Sequence, residues 1–192
     1  MTDNAPKTTF RSKNGQQTSD RNNQFAEVKQ YEEVVINIDR VARVVKGGRR
    51  FRFKALVVVG DGKNKVGVGV AKGADVQAAV AKATNVAKKQ MITVAINKET
   101  IPHEVEARVT GAHVLLKPAA PGTGIIAGGV VRSVIAVTGI KSVLSKSLGS
   151  TNKVNIAYAT MDALKSLVPS SEWVGRIPKK KAETKTAKAE TK

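Results

Sequence analysis

Between Arg40 and Lys54 the chain places seven basic side chains and no acid, with two glycines in their midst: RVARVVKGGRRFRFK. Like charges this close repel one another by an amount that salt only partly screens, so a polyanion that neutralises them favours the arrangement. The chemistry on offer is phosphate binding. The planar fork of arginine matches phosphate oxygens, and the backbone N–H groups at Gly47 and Gly48 meet no Cβ that would hold a ligand away. Strand alternation in RRFRFK puts Arg50, Arg52 and Lys54 on one side and Phe51 and Phe53 on the other, so one side is charged and the other packs. Arg43, Lys46 and Arg49 flank the glycines. A solvated edge strand kept basic against aggregation is the competing reading, but edge protection needs two or three charges rather than seven.

Further along, Val66-Gly67-Val68-Gly69-Val70 leaves one strand face nearly bare of side chains. Either another element packs closely there or nucleic acid does. Lys63, Lys65 and Lys72 around it favour RNA, whereas Lys82, Lys88 and Lys89 fit a solvated helix face equally well. The segment PGTGIIAGG, with Gly122, Gly124 and Gly128, has the outline of a dinucleotide fingerprint. The stretch from Ala107 to Met161 contains no Asp or Glu, so no carboxylate stands about twenty residues on to take a ribose or hold Mg²⁺. The same 55 residues carry six bases, among them Arg132, which suits a surface facing phosphates. The glycines then serve a tight loop and a helix N-terminus.

Catalysis finds little to work with. There is no Cys, and His103 and His113 stand ten residues apart, which matches no common zinc spacing. Glu104 and Glu106 share one side of an expected strand, with His103 on the other, and read as a surface pair. No catalytic residue, metal or cofactor is expected. The 192 residues have a net charge of +18 and a pI near 10.3, pointing to nucleic acid or an anionic membrane surface. With 22 basic and 9 acidic residues between 33 and 178, the body is itself about +13, so the Lys-rich tail does not create the charge. Only 4% of residues are aromatic, so base stacking is not the main mode of recognition. No apolar run reaches membrane-spanning length and no signal-peptide core is visible, so a soluble intracellular setting is expected.

The elements that must hold these residues follow from periodicity. EVVINIDRVARVV, RRFRFKALVVV and KVGVGVAKG read as three antiparallel strands, with GDGK from Gly60 to Lys63 as a hairpin turn. Apolar positions 76, 79, 80, 83, 86, 87 and 91 then form a helical stripe with Asp75 placed as cap. A second unit opens near Met91, its short β-rich runs broken at Asn97-Lys98 and Pro102. It continues through a helix over GGVVRSVIAVTG ended by Gly139 and a last helix faced by Val154, Ala157, Tyr158, Met161, Leu164 and Val168. The expected class is α+β: a domain at 33–96 and another at 100–169, between a disordered arm at 1–32 and a basic tail at 170–192.

The motifs VKGGRRFRFKALVVVGDG, VGVGVAKG, PGTGIIAGGVVRSV and GSTN, in this order and spacing, resemble the bacterial small-subunit ribosomal protein family S-five over roughly residues 33–168. The resemblance implies an N-terminal domain similar to a double-stranded RNA-binding fold lacking its first helix, and a C-terminal domain with a left-handed βαβ crossover. It implies a structural protein of the cytoplasmic ribosome, bound to small-subunit rRNA beside the S-four and S-eight proteins, near the channel through which mRNA enters. It also implies that the Val45–Arg50 loop reaches into rRNA, and that the Gly122–Gly129 loop and Arg132 lie near a protein contact tied to decoding accuracy. Where the family often has Glu before GTG, Pro121 stands here, so a charge pairing at that loop is not carried over. A free-standing regulator binding double-stranded RNA is the alternative, and a nucleotide-dependent enzyme using the Gly122 loop a third.

Overall fold

The run Ala55–Gly60 is buried along its whole length because both faces of its strand are covered, as a continuous apolar stretch demands. The computed structural model describes residues 31–170 together with 172 and 173; of the expected arm only Tyr31 and Glu32 are described, and Glu32 already opens the first strand. Strands β1 (Glu32–Val45), β2 (Gly48–Gly60) and β3 (Lys65–Gly73) pair antiparallel, followed by helix α1 (Val76–Lys89). A two-residue strand, β4 (Ile92–Thr93), completes a sheet ordered β1-β2-β3-β4. Thr93 and Ile92 lie opposite Lys65 and Val66, and the Val94 N–H donates to the Asn64 carbonyl, so the first of the short β-rich runs past Met91 pairs with the first sheet and lies inside the 33–96 bounds.

The bare Val-Gly face belongs to α1. Ala55, Val57, Val59 and Ala71 pack there against Ala79, Ala83 and Ala87. A Cβ at Gly67 would overlap the Ala87 carbonyl oxygen, and one at Gly69 that of Ala83, so the glycines set how closely helix and sheet approach. Asp75 does hold the N-cap position in extended backbone, but its side chain makes no capping bond; its carbonyl instead accepts from the Ala79 N–H at 3.0 Å.

The other face of β2 and β3, with Leu56, Val58, Val66 and Val68, joins the larger core. That core continues into a second sheet of order β5-β6-β8-β7, made of β5 (Val105–Val109), β6 (Ala112–Pro118), β7 (Ile125–Ile126) and β8 (Val143–Ser147). Helices α2 (Gly129–Thr138) and α3 (Lys153–Lys165) contribute Val131, Val134, Ile135, Ala157 and Leu164 to it. β7 runs parallel to its neighbour β8 with α2 as the connection, a βαβ unit. Gly139 ends α2 at a left-handed φ of 84°, as its position past the apolar stripe predicts. Asn152 caps α3, accepting from the Val154 N–H at 3.2 Å, and the buried face of that helix is wider than the sequence stripe, adding Ile156, Ala159, Thr160 and Ala163 while leaving Val168 exposed.

The turn between β2 and β3 ties the two sheets together. Asp61 Oδ1 accepts from the N–H groups of Lys63, Asn64 and Lys65 at 2.9, 3.0 and 2.8 Å, and the Gly62 N–H donates to the Val137 carbonyl at 3.1 Å. Burial alone would raise the Asp61 carboxyl, but the donors of Asn64, Lys65 and Lys63 outweigh it and hold the group below the usual carboxylate range. A depressed folded-state pKa contributes stability above the unfolded value of about 3.9 that is lost as pH falls through the folded value. Asp61→Ala is therefore expected to cost about 1–3 kcal/mol at neutral pH, because three donors lose their acceptor. Urea titrations of both proteins from pH 7 to pH 2.5 check this: the gap should be constant above about pH 5 and narrow toward the acid end.

Candidate nucleic-acid interface

Register places the basic side chains. Val45 lies opposite Gly48, leaving Lys46 and Gly47 as a two-residue loop in which Gly47 takes a φ of 82°. β3 stops at Gly73 opposite Phe53, so beyond that point Val41–Val45 and Gly48–Arg52 form a two-stranded ribbon with no third strand. At five residues a side it projects roughly 17 Å. On one of its faces Arg43 stands opposite Arg50, Val41 opposite Arg52, and Lys72 of β3 opposite Lys54. Arg43, Arg50, Arg52 and Lys72 rim a concavity of about 350 Å³ floored by Val41 and Val45.

Among the described residues the charges in this concavity are unmatched. Lys54 is tied to Asp39 at 2.8 Å, and the Lys54 ammonium followed by the Asn37 amide, 2.6 Å away, holds the Asp39 carboxyl below its ordinary value. Arg43, Arg50, Arg52 and Lys72 have no carboxylate within 4.0 Å among the described residues. Like charges directly across an antiparallel pair are destabilising, so the Arg43–Arg50 pairing breaks a local rule of sheet stability in the unliganded protein.

The structure divides the remaining sequence-derived candidates. Lys46, Gly47, Gly48 and Arg49 lie at the exposed tip with the four cations behind them. Lys63 and Lys65 lie at the opposite end of β2, roughly 40 Å along its 13 residues, in the turn that docks on α2. Gly122 and Gly124 take left-handed φ values of 89° and 77°, yet a Cβ at either would meet nothing within 4 Å. Conformation rather than space requires glycine there. Arg132 is exposed on α2 while Val131, Val134 and Ile135 turn inward.

Phe51 corrects the expectation that its side of the strand packs. It is 51% exposed, beyond the reach of α1, and the Arg40 guanidinium lies 3.8 Å over its ring. Sequence reasoning left Arg40 outside the site; counting register back from the Lys46-Gly47 loop would have found it, since that count sets Arg40 on the Phe51 face. The paired glutamates each hold a base of their own, Glu104 to Lys117 at 3.0 Å and Glu106 to His113 at 3.1 Å. His103 lies edge-on to Trp173, and no group of three metal-ligating side chains occurs among the described residues.

The family model described as "Ribosomal protein S5, N-terminal domain" matches residues 31–95, and that for "Ribosomal protein S5, C-terminal domain" matches residues 107–173. A relative, "Small ribosomal subunit protein uS5" of Dehalococcoides mccartyi (strain CBDB1), is 54% identical over 133 residues, covering 69% of this chain and 77% of its own length.

Proposed function

The chain belongs to the ribosomal protein S5 family, and from that premise we propose that it is a structural component of the small ribosomal subunit that holds rRNA by its phosphates along the projecting ribbon. The observation that carries this reading is the unmatched array of Arg43, Arg50, Arg52 and Lys72 above an apolar floor, with Lys46 and Arg49 at the tip. Phosphate contacts of this kind position a nucleic acid without reading its sequence. The reading includes a cytoplasmic ribosomal location, a role with no catalysis of its own, and separate N- and C-terminal domains at 33–96 and 100–169. The gap between the two family matches supports that last division. Sedimentation of a tagged chain through a sucrose gradient of cell lysate tests the whole: it should travel with free small subunits and whole ribosomes. A chain found only in light fractions with duplex RNA would favour the free-standing regulator instead.

The Gly122–Arg132 segment is proposed as a contact with a neighbouring protein of the S-four family, with an S-eight protein and the incoming mRNA as further neighbours. Supporting it are the exposed Arg132, without an ion pair among the described residues, and the loop before it, whose shape is set by the left-handed Gly122 and Gly124. An exposed charge contact is worth about 0.2–1 kcal/mol, too little to unfold the protein and enough to bias two arrangements of an interface. Arg132→Glu should thus incorporate into subunits normally while changing misreading in a reporter by a few-fold. Normal accuracy with poor incorporation would make Arg132 an assembly contact only.

A further inference from the structure

The ribbon has an unsolved mechanical problem. Two strands alone are marginally stable in water, and past Phe53 neither β3 nor α1 supports Val41–Arg52. Yet Arg43, Arg50 and Arg52, on the ribbon, meet phosphates together with Lys72, on the sheet body, only if ribbon and body keep a fixed relation. On the reverse face the Arg40 guanidinium lies 3.8 Å over the Phe51 ring, a side-chain contact that bridges that junction. Arg40 pairs with Phe53, the last residue backed by β3, whereas Phe51 lies two residues out along the unsupported part. The stack is thus anchored where β3 still backs the ribbon and reaches past the point where β3 ends.

We infer that Arg40 and Phe51 form a splint that pre-positions the ribbon's cations, making both of them positioning residues rather than phosphate contacts. This rests on the rRNA reading above. The guanidinium carbon lies 3.8 Å from the centroid of an exposed ring, where the interaction restrains two side chains without burying either, and the opposite face is left clear for RNA. A flexible ribbon would pay an ordering cost at binding that the splint removes beforehand.

The test compares the full-length protein with Phe51→Leu, Arg40→Gln and the double variant, using a small-subunit rRNA fragment over a range of salt. Phe51→Leu should weaken binding about two- to fivefold, the scale of an exposed cation–π pair, although it removes no charge. The double variant should bind no worse than the weaker single. The salt slope should stay at the wild-type value in all three, and the Gly47 and Gly48 amide order parameters should fall in the free variants with thermal midpoints unchanged. Wild-type affinity in Phe51→Leu, or a slope reduced by about one phosphate in Arg40→Gln, would make Arg40 an ordinary phosphate contact and overturn the splint. A wild-type protein with no salt-dependent affinity for the fragment would overturn the rRNA reading itself, whereas binding that ignores Phe51 overturns this inference alone.

Discussion

Gly69→Ala should destabilise the protein by about 3 kcal/mol or more, the scale reached when a packed interior is forced to accept an extra carbon. A Cβ there would overlap the Ala83 carbonyl oxygen and come within 2.6 Å of the Ala87 nitrogen, both of them backbone atoms of α1. No side chain can rotate away. The helix must lift from the sheet, loosening Ala79, Ala83 and Ala87 from Val57, Val59 and Ala71. Replacing glycine by alanine also restricts the unfolded chain, which at compatible sites stabilises by about 0.4–1 kcal/mol, so the overlap wins by a clear margin. Gly48→Ala is the control, because nothing lies within 4 Å of its Cβ and its φ is ordinary; it should change stability by less than about 0.5 kcal/mol. Urea unfolding monitored by circular dichroism separates the two. With a slope of about 1–3 kcal/mol per molar, the Gly69 variant should lose at least roughly 1 M in midpoint. Similar midpoints for both variants would mean that α1 is not seated on the glycine face.

The parts of this structure that were legible beforehand are those whose cause is local. Alternation in β1, β2 and β3 and the stripe of α1 each follow from side-chain periodicity within a few residues. β4 and β7 were not legible, since two residues have no period and become strands only because an edge of β3 or β8 is there to pair with. The Val-Gly alternation declared a close approach without saying to what. Only the placement of α1 decides between protein and nucleic acid. At the site, nearness in sequence was misleading in one direction and helpful in the other: Lys65 and Lys72 are seven residues apart yet at opposite ends of an extended strand, roughly 23 Å from each other. Arg43 and Arg50 are also seven apart and face each other, because a hairpin loop lies between them.

The triple change Arg43→Ala, Arg50→Ala and Arg52→Ala should remove most of the affinity for rRNA while leaving the fold as stable as before, or more so. The stability half follows from register: Arg43 and Arg50 stand directly across from each other with no acid nearby among the described residues, so deleting them relieves repulsion. None of the three is in the core, and the ribbon they occupy lies outside both apolar clusters. The binding half follows from counterion release. Each phosphate neutralised contributes about 0.7 to 0.9 to the slope of log affinity against log salt, so losing three should flatten that slope by roughly two to three. At moderate salt the same loss amounts to about two to three orders of magnitude, if each charge-assisted contact is worth about 1–1.5 kcal/mol. Lys63→Ala with Lys65→Ala provides the comparison, since that pair removes two of the same charges from a place roughly 30 Å or more away along β2, in the turn docked on α2. Filter binding of a small-subunit rRNA fragment across a salt series, with thermal unfolding in parallel, distinguishes the possibilities. If RNA responds only to net charge, the per-residue losses of the two variants will match. If the ribbon is the binding element, the arginine variant alone changes the slope steeply, because only there do four cations converge on one concavity that a phosphate backbone can enter.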